Sequence, residues 1–565
     1  MSAKSLDRLL SQLENARYRF GSGEAAGILK TLNLLGAARF PDAKSLIRFH
    51  EALLFLRAFP QGPNVVRKTE QLLNGFHKRV EALRKSGADL SPLDPLEVSG
   101  IAGTQMSDTI SFDLARWLVR HMPGKVTIDW DNWEEGRAMG EILPRLLPLV
   151  EDDALVEADT PWRRWIEAAH GNRVGSAEWL ILRFESLPLA PQAKAELYDS
   201  LRIPLRWDLG HSRVTRTRNW TPVREVFYHS GPLISRSEVS LADELTKRPP
   251  VLRKLLRSEG ERIIDKIREV MLVRYRELYG TTLGDPASVV RADVGRGMSI
   301  YLWNLPPDRR LPLRAYVAGL TLKNGVPINY IEAIGLCEWM EVGFNTFYTF
   351  RGGEAGWIYA QVLRCLCHLM GTTCVSMYPY QLGHDNEEAL KSGAFWFYRK
   401  LGFRPGRADL RRLVEREEKK IAADASYRTS IRTLKRLARS HVFYELPGSE
   451  VGAWDRFSTR NIGLRVNSLM AREFGGDSRV MRESSATALQ QGLGVKTRSW
   501  SSMEKGAFET FALVLSNERL STWTAREKQR MVEIVRAKAK SNEMHYLHLT
   551  QQHQRLRAAL IKLGT

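Results

Sequence analysis

A chain of 565 residues exceeds what one hydrophobic core usually organises, so about two to four domains are expected. Its 43% hydrophobic and 26% charged residues exclude a disordered chain, and no apolar run reaches the roughly eighteen residues that a membrane-crossing helix needs. Eighty-four Lys and Arg against sixty-four Asp and Glu leave a formal charge of +20, which gathers anions at the surface without choosing among an anionic small molecule, nucleic acid and anionic membrane.

Residues 1–95 read as a helical N-terminal region. Leu6, Leu9, Leu10 and Leu13 form one apolar face, and residues 46–58 and 65–83 carry two more. The start is amphipathic and polar, without the apolar heart of a secretion signal, which points to a cytoplasmic protein. Gly21-Ser22-Gly23-Glu24 follows a helix rather than a strand, so it reads as a linker and not as a nucleotide loop. Breakers between Gly87 and Gly103 close this region.

Residues 96–222 read as an α+β, Trp-rich region. A helix over 111–121 leads through Pro123-Gly124 into an alternating strand over 125–130. Trp130, Trp133, Trp162, Trp165 and Trp179 read as core packing, with a substrate groove as the alternative.

Over 223–447 the pattern changes to that of a sheet. A strand is expected at 223–234, then a helix at 259–279 with Ile263, Ile267, Val270, Met271 and Tyr275 in one stripe. Strands at 298–305 and 313–322 follow, and Lys323-Asn324-Gly325 is a hairpin signal that turns the chain back along 326–333. An aromatic strand at 344–350 runs into Arg351-Gly352-Gly353-Glu354-Ala355-Gly356 and an apolar-periodic helix at 357–370. Such a junction exposes unpaired N–H groups at the positive end of a helix dipole, so it can cradle a pyrophosphate; it can equally be an ordinary tight turn. After a strand at 372–378, Ala394, Phe397, Tyr398 and Leu401 recur at helical spacing, Arg399 and Lys400 fall on the wet side, and Gly402 supplies the stop. A phenol at such a helix end can donate a proton. Cys337, Cys365, Cys367 and Cys374 lie in this region without zinc-type spacing and read as reduced, mostly buried thiols, so no metal is expected.

Residues 407–440 are basic. On a helix, Arg428, Arg432, Lys435, Arg436 and Arg439 share one face while Tyr427, Ile431, Leu434 and Ala438 share the opposite one. That stripe is either a solvated face or a docking surface for an acidic carrier, nucleic acid or membrane. A last strand is expected at 441–446. Residues 448–565 form a helical, basic C-terminal region, in which Trp454, Phe457, Ile462, Val466 and Leu469 make one apolar set and Thr524-Ala525-Arg526-Glu527 is a capping box opening a long terminal helix. His545, His548 and Gln552 share a face there, but no carboxylate completes a metal set.

The two central motifs, in this order, resemble the GNAT superfamily of acyl-coenzyme A-dependent N-acyltransferases, over about 150 residues. The family's late motif, Ala-x-x-Phe-Tyr-x-Lys-x-Gly-Phe, is met at Ala394, Phe397, Tyr398, Lys400, Gly402 and Phe403. Its Arg/Gln-x-x-Gly-x-Gly/Ala loop is met at Arg351 and Gly356, while Glu354 stands where the middle glycine belongs and Lys391 where an Asn often precedes the late motif. A carboxylate beside a phosphate is repulsive unless it points away. The resemblance implies an α+β multidomain fold, with a GNAT-like mixed central sheet, flanking helices, and helical N- and C-terminal regions. It implies transfer of an acyl group from acyl-coenzyme A to an amine whose identity the sequence does not specify. In that reading Tyr398 protonates the departing thiolate, Glu341 or Glu338 takes the amine's proton, and the coenzyme meets Val342, Phe344, Arg351, Gly352, Gly353, Gly356 and Lys400. Backbone N–H groups over 342–346 would polarise the thioester oxygen. Two other readings stand beside it. One is an aminoacyl-tRNA-dependent peptidyl or aminoacyl transferase of related fold, towards which the net charge and the missing glycine lean. The other is a non-catalytic GNAT-like scaffold that binds nucleic acid or a protein through Arg428, Arg432, Lys435, Arg436 and Arg439.

Overall fold

A computed structural model describes residues 2–21, 23–134, 138–150, 161–172 and 174–565; Met1 and the linker residue Ser22 lie outside the described residues. The chain builds two sheets and many helices. A small antiparallel sheet holds β1 (Gln105–Thr109), β2 (Val126–Ile128) and β3 (Pro204–Asp208) in the order β1-β3-β2. A nine-stranded sheet holds β4 (Arg253–Lys254), β5 (Val290–Asp293), β6 (Met298–Asn304), β7 (Ala315–Lys323), β8 (Val326–Leu336), β9 (Trp339–Thr346), β10 (Cys374–Met377), β11 (Arg404–Pro405) and β12 (Val442–Glu445). Its order is β11-β12-β10-β9-β8-β7-β6-β5-β4. Every neighbouring pair is antiparallel except β9 and β10.

The β7–β8 hairpin turns where the sequence predicts. Asn324 and Gly325 both take positive φ, 48° and 78°, which matches the twist of the strands they join. All nine residues of β7 are buried, so the sheet must be covered on both faces. The helix Ala43–Ala58 packs against β8, and the helix Glu543–Gln551 packs against β7 and β8. The N-terminal helices therefore share one core with the sheet: Leu10, Phe49, Phe55 and Phe59 are continuous with Ile328, Ile331, Val342 and Ile358. A second core surrounds the small sheet with Phe112, Phe184, Tyr198 and Trp207; Trp133 is buried in it, and Trp130, Trp162, Trp165 and Trp179 pack half-buried against it. A third core joins Trp339 of β9 to Trp454 and Phe457 of the turn before the C-terminal helices and to Phe511 within them. Among the described residues no helix is long and apolar enough to cross a membrane.

Several expected elements change. Residues 223–234 are not a strand but an extended strap. Its N–H groups go to Asn324 Oδ1 (from Phe227, 2.9 Å), Pro60 O (from His229, 2.8 Å) and Glu354 Oε1 (from Ile234, 3.2 Å) rather than to a neighbouring strand. The helix expected to 279 is Arg257–Leu272; it stops because Leu272 and Val273 enter the second core, and Tyr275 turns left-handed at φ 51°. The aromatic strand at 344–350 is the end of β9 followed by a single 3-10 turn, Tyr348–Phe350. The helix over 65–83 is interrupted at Gly75. The long terminal helix is three, Ala525–Lys538, Glu543–Gln551 and Gln554–Gly564, because Asn542 and His553 each cap a new helix by accepting from the N–H of His545 (3.2 Å) and Leu556 (3.1 Å). The Thr524–Glu527 capping box is present.

Phe59 is fully buried and stacks on Phe55 with ring centroids 4.8 Å apart. Phe59→Ala is expected to cost about 3–5 kcal/mol. Urea unfolding followed by circular dichroism should show the midpoint falling at unchanged slope, because N-terminal helices and sheet lose their common core together.

Candidate active site

Strands β9 and β10 run parallel for three rungs, Trp339/Cys374, Met340/Val375 and Glu341/Ser376, and then part. The cause is local. Strand β10 ends at Met377, and Pro379, which has no N–H for a ladder, opens the helical turn Pro379–Leu382. Strand β9 stays on β8 as far as the Thr346/Asn329 pair. From Val342 onward β9 thus lacks its β10 neighbour, and a cavity of about 260 Å³ opens beside it. Gly383 and Gly393, at φ 118° and 69°, let the chain fold the short helices Glu387–Lys391 and Ala394–Lys400 across the opening.

Of the residues expected from sequence, Phe344, Arg351 and Tyr398 line this cavity. Tyr398 is 4% exposed, with its ring edge-on to Tyr359 at 5.6 Å. Burial alone pushes its phenol above the ordinary range; no charge or hydrogen bond contributes. Gly402 ends its helix at φ 105°, with Phe403 N–H bonded back to Tyr398 O at 3.2 Å. Arg351 lies over the Tyr348 ring, 3.8 Å from its centre, and is paired with Glu388.

The glycine loop owes its glycines to packing. A Cβ on Gly352 would meet the Tyr18 hydroxyl at 2.3 Å, one on Gly353 the Phe59 ring at 2.7 Å, and one on Gly356 the Arg236 side chain at 3.2 Å. Two N-terminal aromatics and Arg236, just after the strap, thus press on this loop, and none of the three glycines lines the cavity. Ala355, the first residue of the helix Ala355–Met370, does line it, and that helix begins without a side-chain cap. Its opening N–H groups therefore have no side-chain acceptor.

Glu354 turns away from the cavity and is fully buried. Its carboxylate is paired with Arg296, accepts from Lys323 Nζ at 3.3 Å and accepts from the N–H of Ile234 at 3.2 Å. Burial by itself would raise this carboxyl; the Arg296 hydrogen bonds and the Lys323 charge outweigh it and hold it below the usual carboxylate range. Burial also pulls the Lys323 ammonium down to about 8, against the opposing pull of Glu354. The charge that stood where a glycine was expected is thus removed from any phosphate nearby.

The remaining expected residues are spread along the sheet. Val342 is buried in the core, and Lys400 is exposed at its helix end, where its carbonyl accepts from Arg236 at 3.2 Å. Glu341 sits on the last parallel rung, and its carboxylate accepts from His441 Nε2 at 2.8 Å. It shares a strand face with Gly343 and Asn345; Asn345 lines the cavity, and so does Gln381, which stands 3.9 Å from a Gly343 Cβ. Glu338 precedes β9 at its other end, about 25 Å along the strand from Thr346 at the rise of an extended chain. It is paired there with Arg557 at 2.6 Å and accepts from Trp454 Nε1 at 2.7 Å, so the structure does not bring it together with Tyr398. The basic stripe is shorter than expected: the helix is Ile431–Leu437, Arg428 lies before it and donates to Ala425 O and Tyr427 O, and Ile431 is 60% exposed rather than anchored. Arg432, Lys435, Arg436 and Arg439 are exposed, and Lys435 reaches Glu387 at 3.5 Å.

Sequence reasoning missed three arginines, Arg216, Arg274 and Arg276, that also line the cavity. They lie 75 to 135 positions before Arg351 by their numbers, in segments with no motif, so no spacing signal marks them. The four cysteines are free; Cys337, Cys365 and Cys374 are buried, and burial pushes the thiols of Cys337, Cys365 and Cys367 up to about 12. Among the described residues no group of three His, Cys, Asp or Glu is placed to hold a metal ion. No family model matches the chain, and neither a curated protein nor a solved structure matches it.

Replacing Glu354 by Gln leaves Lys323 and Arg296 without their buried counter-charge, an expected loss of about 3–5 kcal/mol. Because the folded carboxyl titrates below its unfolded value near 4.5, its contribution is present above about pH 4.5 and is lost as pH falls through the folded value. The stability difference between wild type and Glu354→Gln, measured by denaturant titration from pH 7 downward, should therefore narrow on acidification.

Proposed function

We propose that the cavity is an acyl-transfer site of the GNAT kind, where an acyl-coenzyme A thioester gives its acyl group to an amine. One observation carries the reading: the parallel pair β9/β10 parts after Glu341/Ser376, and the Tyr398 phenol lines the opening so formed. The donor's pyrophosphate would lie against the opening N–H groups of the helix Ala355–Met370, with Arg351 beside it. The free edge of β9 would offer N–H groups to the thioester oxygen.

The amine nitrogen attacks the thioester carbonyl carbon, and the tetrahedral intermediate collapses by breaking the C–S bond. The departing thiolate takes the phenolic proton of Tyr398. A phenol is protonated at working pH and so can give its proton to the thiolate; burial raises it further, so the transfer relies on the thiolate being equally removed from water in the closed site. The amine's proton passes to the Glu341–His441 pair at the edge of the opening and on to solvent, from which Tyr398 is reprotonated. Amine plus thioester become amide plus thiol, and one proton leaves nitrogen for each one gained by sulfur. Glu338, at the far end of β9, has no part in this scheme.

A second reading keeps the fold and changes the donor to aminoacyl-tRNA. It is favoured by the exposed Arg432, Lys435 and Arg436, whose helix contacts the helix Glu387–Lys391 at the cavity, and by the exposed Arg439 just after it. A polyanion lying there would reach the opening.

Calorimetry with acetyl-coenzyme A should show binding, weakened about tenfold by Arg351→Ala; absence of binding removes the coenzyme reading. Tyr398→Phe should lower the rate of acyl transfer by roughly 10²–10⁴ with KM for the donor unchanged. An unchanged rate would take the proton-donor role from Tyr398. The tRNA reading instead expects a steeply salt-dependent affinity whose slope falls when Arg432 and Arg436 are neutralised.

A further inference from the structure

The cavity is lined by four arginines, Arg216, Arg274, Arg276 and Arg351, and by two carboxylates, Glu97 and Glu388, of which Glu388 is taken by Arg351. Arg274 is 7% exposed, donates from Nη1 to Val270 O at 2.7 Å, and lies over the Phe347 ring at 3.9 Å. Arg276 donates from Nη1 to the Tyr330 hydroxyl at 3.0 Å. Among the described residues neither is paired with a carboxylate. Their neighbour Arg216 is different, since Glu51 at 2.8 Å and Thr349 at 2.9 Å hold it. Tyr275, left-handed at φ 51°, packs towards the second core and leaves Arg274 and Arg276 on either side of it to enter the cavity.

A guanidinium keeps its proton in proteins, so a buried one without a counter-ion carries an electrostatic cost that a bound anion would relieve. Burial presses hardest on Arg274 in this sense, followed by the charge of Arg216; Glu51 opposes them and Arg276 adds to them. One of its five N–H donors is used and its guanidinium carbon lies 3.9 Å from the centre of the Phe347 ring, which leaves the remaining donors for a carboxylate, a group that a guanidinium grips through two parallel hydrogen bonds. The donor's phosphates have a cradle built from other elements, Arg351 and the start of the helix Ala355–Met370. These arginines come instead from the 273–278 linker, beside Tyr330 of β8 and Phe347.

We propose that Arg274 and Arg276 form a carboxylate-recognition site in this cavity, so that one of the two reacting molecules, the acyl donor or the amine acceptor, carries a free carboxylate. This rests on the acyl-transfer reading of the cavity. The reaction would then join an acyl group to an amino-acid-like acceptor, or transfer a dicarboxylic acyl group, and the same pair of arginines would orient either.

Calorimetry on the full chain separates the two sources. In the donor arm, succinyl-coenzyme A is compared with butyryl-coenzyme A, and free coenzyme A and inorganic phosphate are titrated as controls. In the acceptor arm, the common L-amino acids are compared with their carboxamides, with and without acetyl-coenzyme A. In one arm the carboxylate member should bind at least about tenfold more tightly than its uncharged twin. Arg276→Gln, at a half-buried position, should abolish that preference while leaving the affinity for free coenzyme A unchanged, and Arg274→Gln should do the same. Equal affinities of the twins in both arms overturn the proposal, and so does a preference that both variants retain. An equal loss of affinity for free coenzyme A or inorganic phosphate in the variants also overturns it, because the arginines then serve the donor's phosphates. Coenzyme A binding without any carboxylate preference leaves the acyl-transfer reading standing alone. A carboxylate preference without coenzyme A binding does the reverse.

Discussion

The fold around the cavity depends on one buried carboxylate. Glu354 gathers Arg296 from the β5–β6 turn, Lys323 from the end of β7 and the N–H of Ile234 from the strap, and it belongs itself to the loop that opens the helix Ala355–Met370. The next residue along, Asn324, repeats the theme: its amide donates to Ala58 O and Phe227 O, both at 3.0 Å, and accepts from Phe227 N–H. Lys323 meanwhile sits 5.1 Å from the ring centres of Phe59 and Phe227. Hairpin, strap, loop and N-terminal helix are thus locked at one point by groups that cannot be removed singly without stranding a buried charge. The loop conformation that presents Ala355 to the cavity follows from this lock rather than from the glycines alone.

The cavity assembles from parts far apart in the chain. The parallel pair supplies the gap, Pro379 enforces it, and the short helices after it bring Tyr398 over the opening. The floor comes from the linker after the helix Arg257–Leu272, where the chain passes from the sheet's core to the second core and must break its helix to do so. A position forced by packing has thereby become a place where two arginines meet the same cavity.

What the sequence made legible was local chemistry. Asn324-Gly325 could be read as a turn because both residues tolerate positive φ. The Ala394–Lys400 helix and its stop at Gly402 followed from helical spacing and one glycine, and the helix-order of the central region followed from alternating periodicities. The strap was misread as a strand because its pattern is extended, while its partners, Asn324 and Glu354, lie 97 and 120 positions away. Glu354 looked like an intruder in a phosphate loop because Arg296 and Lys323, 58 and 31 positions earlier, gave no sign of waiting for it. The early end of the helix at Leu272 and the arginines after it depend on a second core that no periodicity within 259–279 reveals.

The contact of Tyr18 and Phe59 with Gly352 and Gly353 has a consequence for how such a chain changes over generations. A side chain gained on either glycine must be answered by a smaller residue hundreds of positions earlier, so the two segments are bound to drift as a pair. A recombination event that moved the sheet into another protein without the first sixty or so residues would uncover apolar surface on the very loop that borders the cavity. The segment that resembles a transferable module is therefore heritable only together with its N-terminal cover.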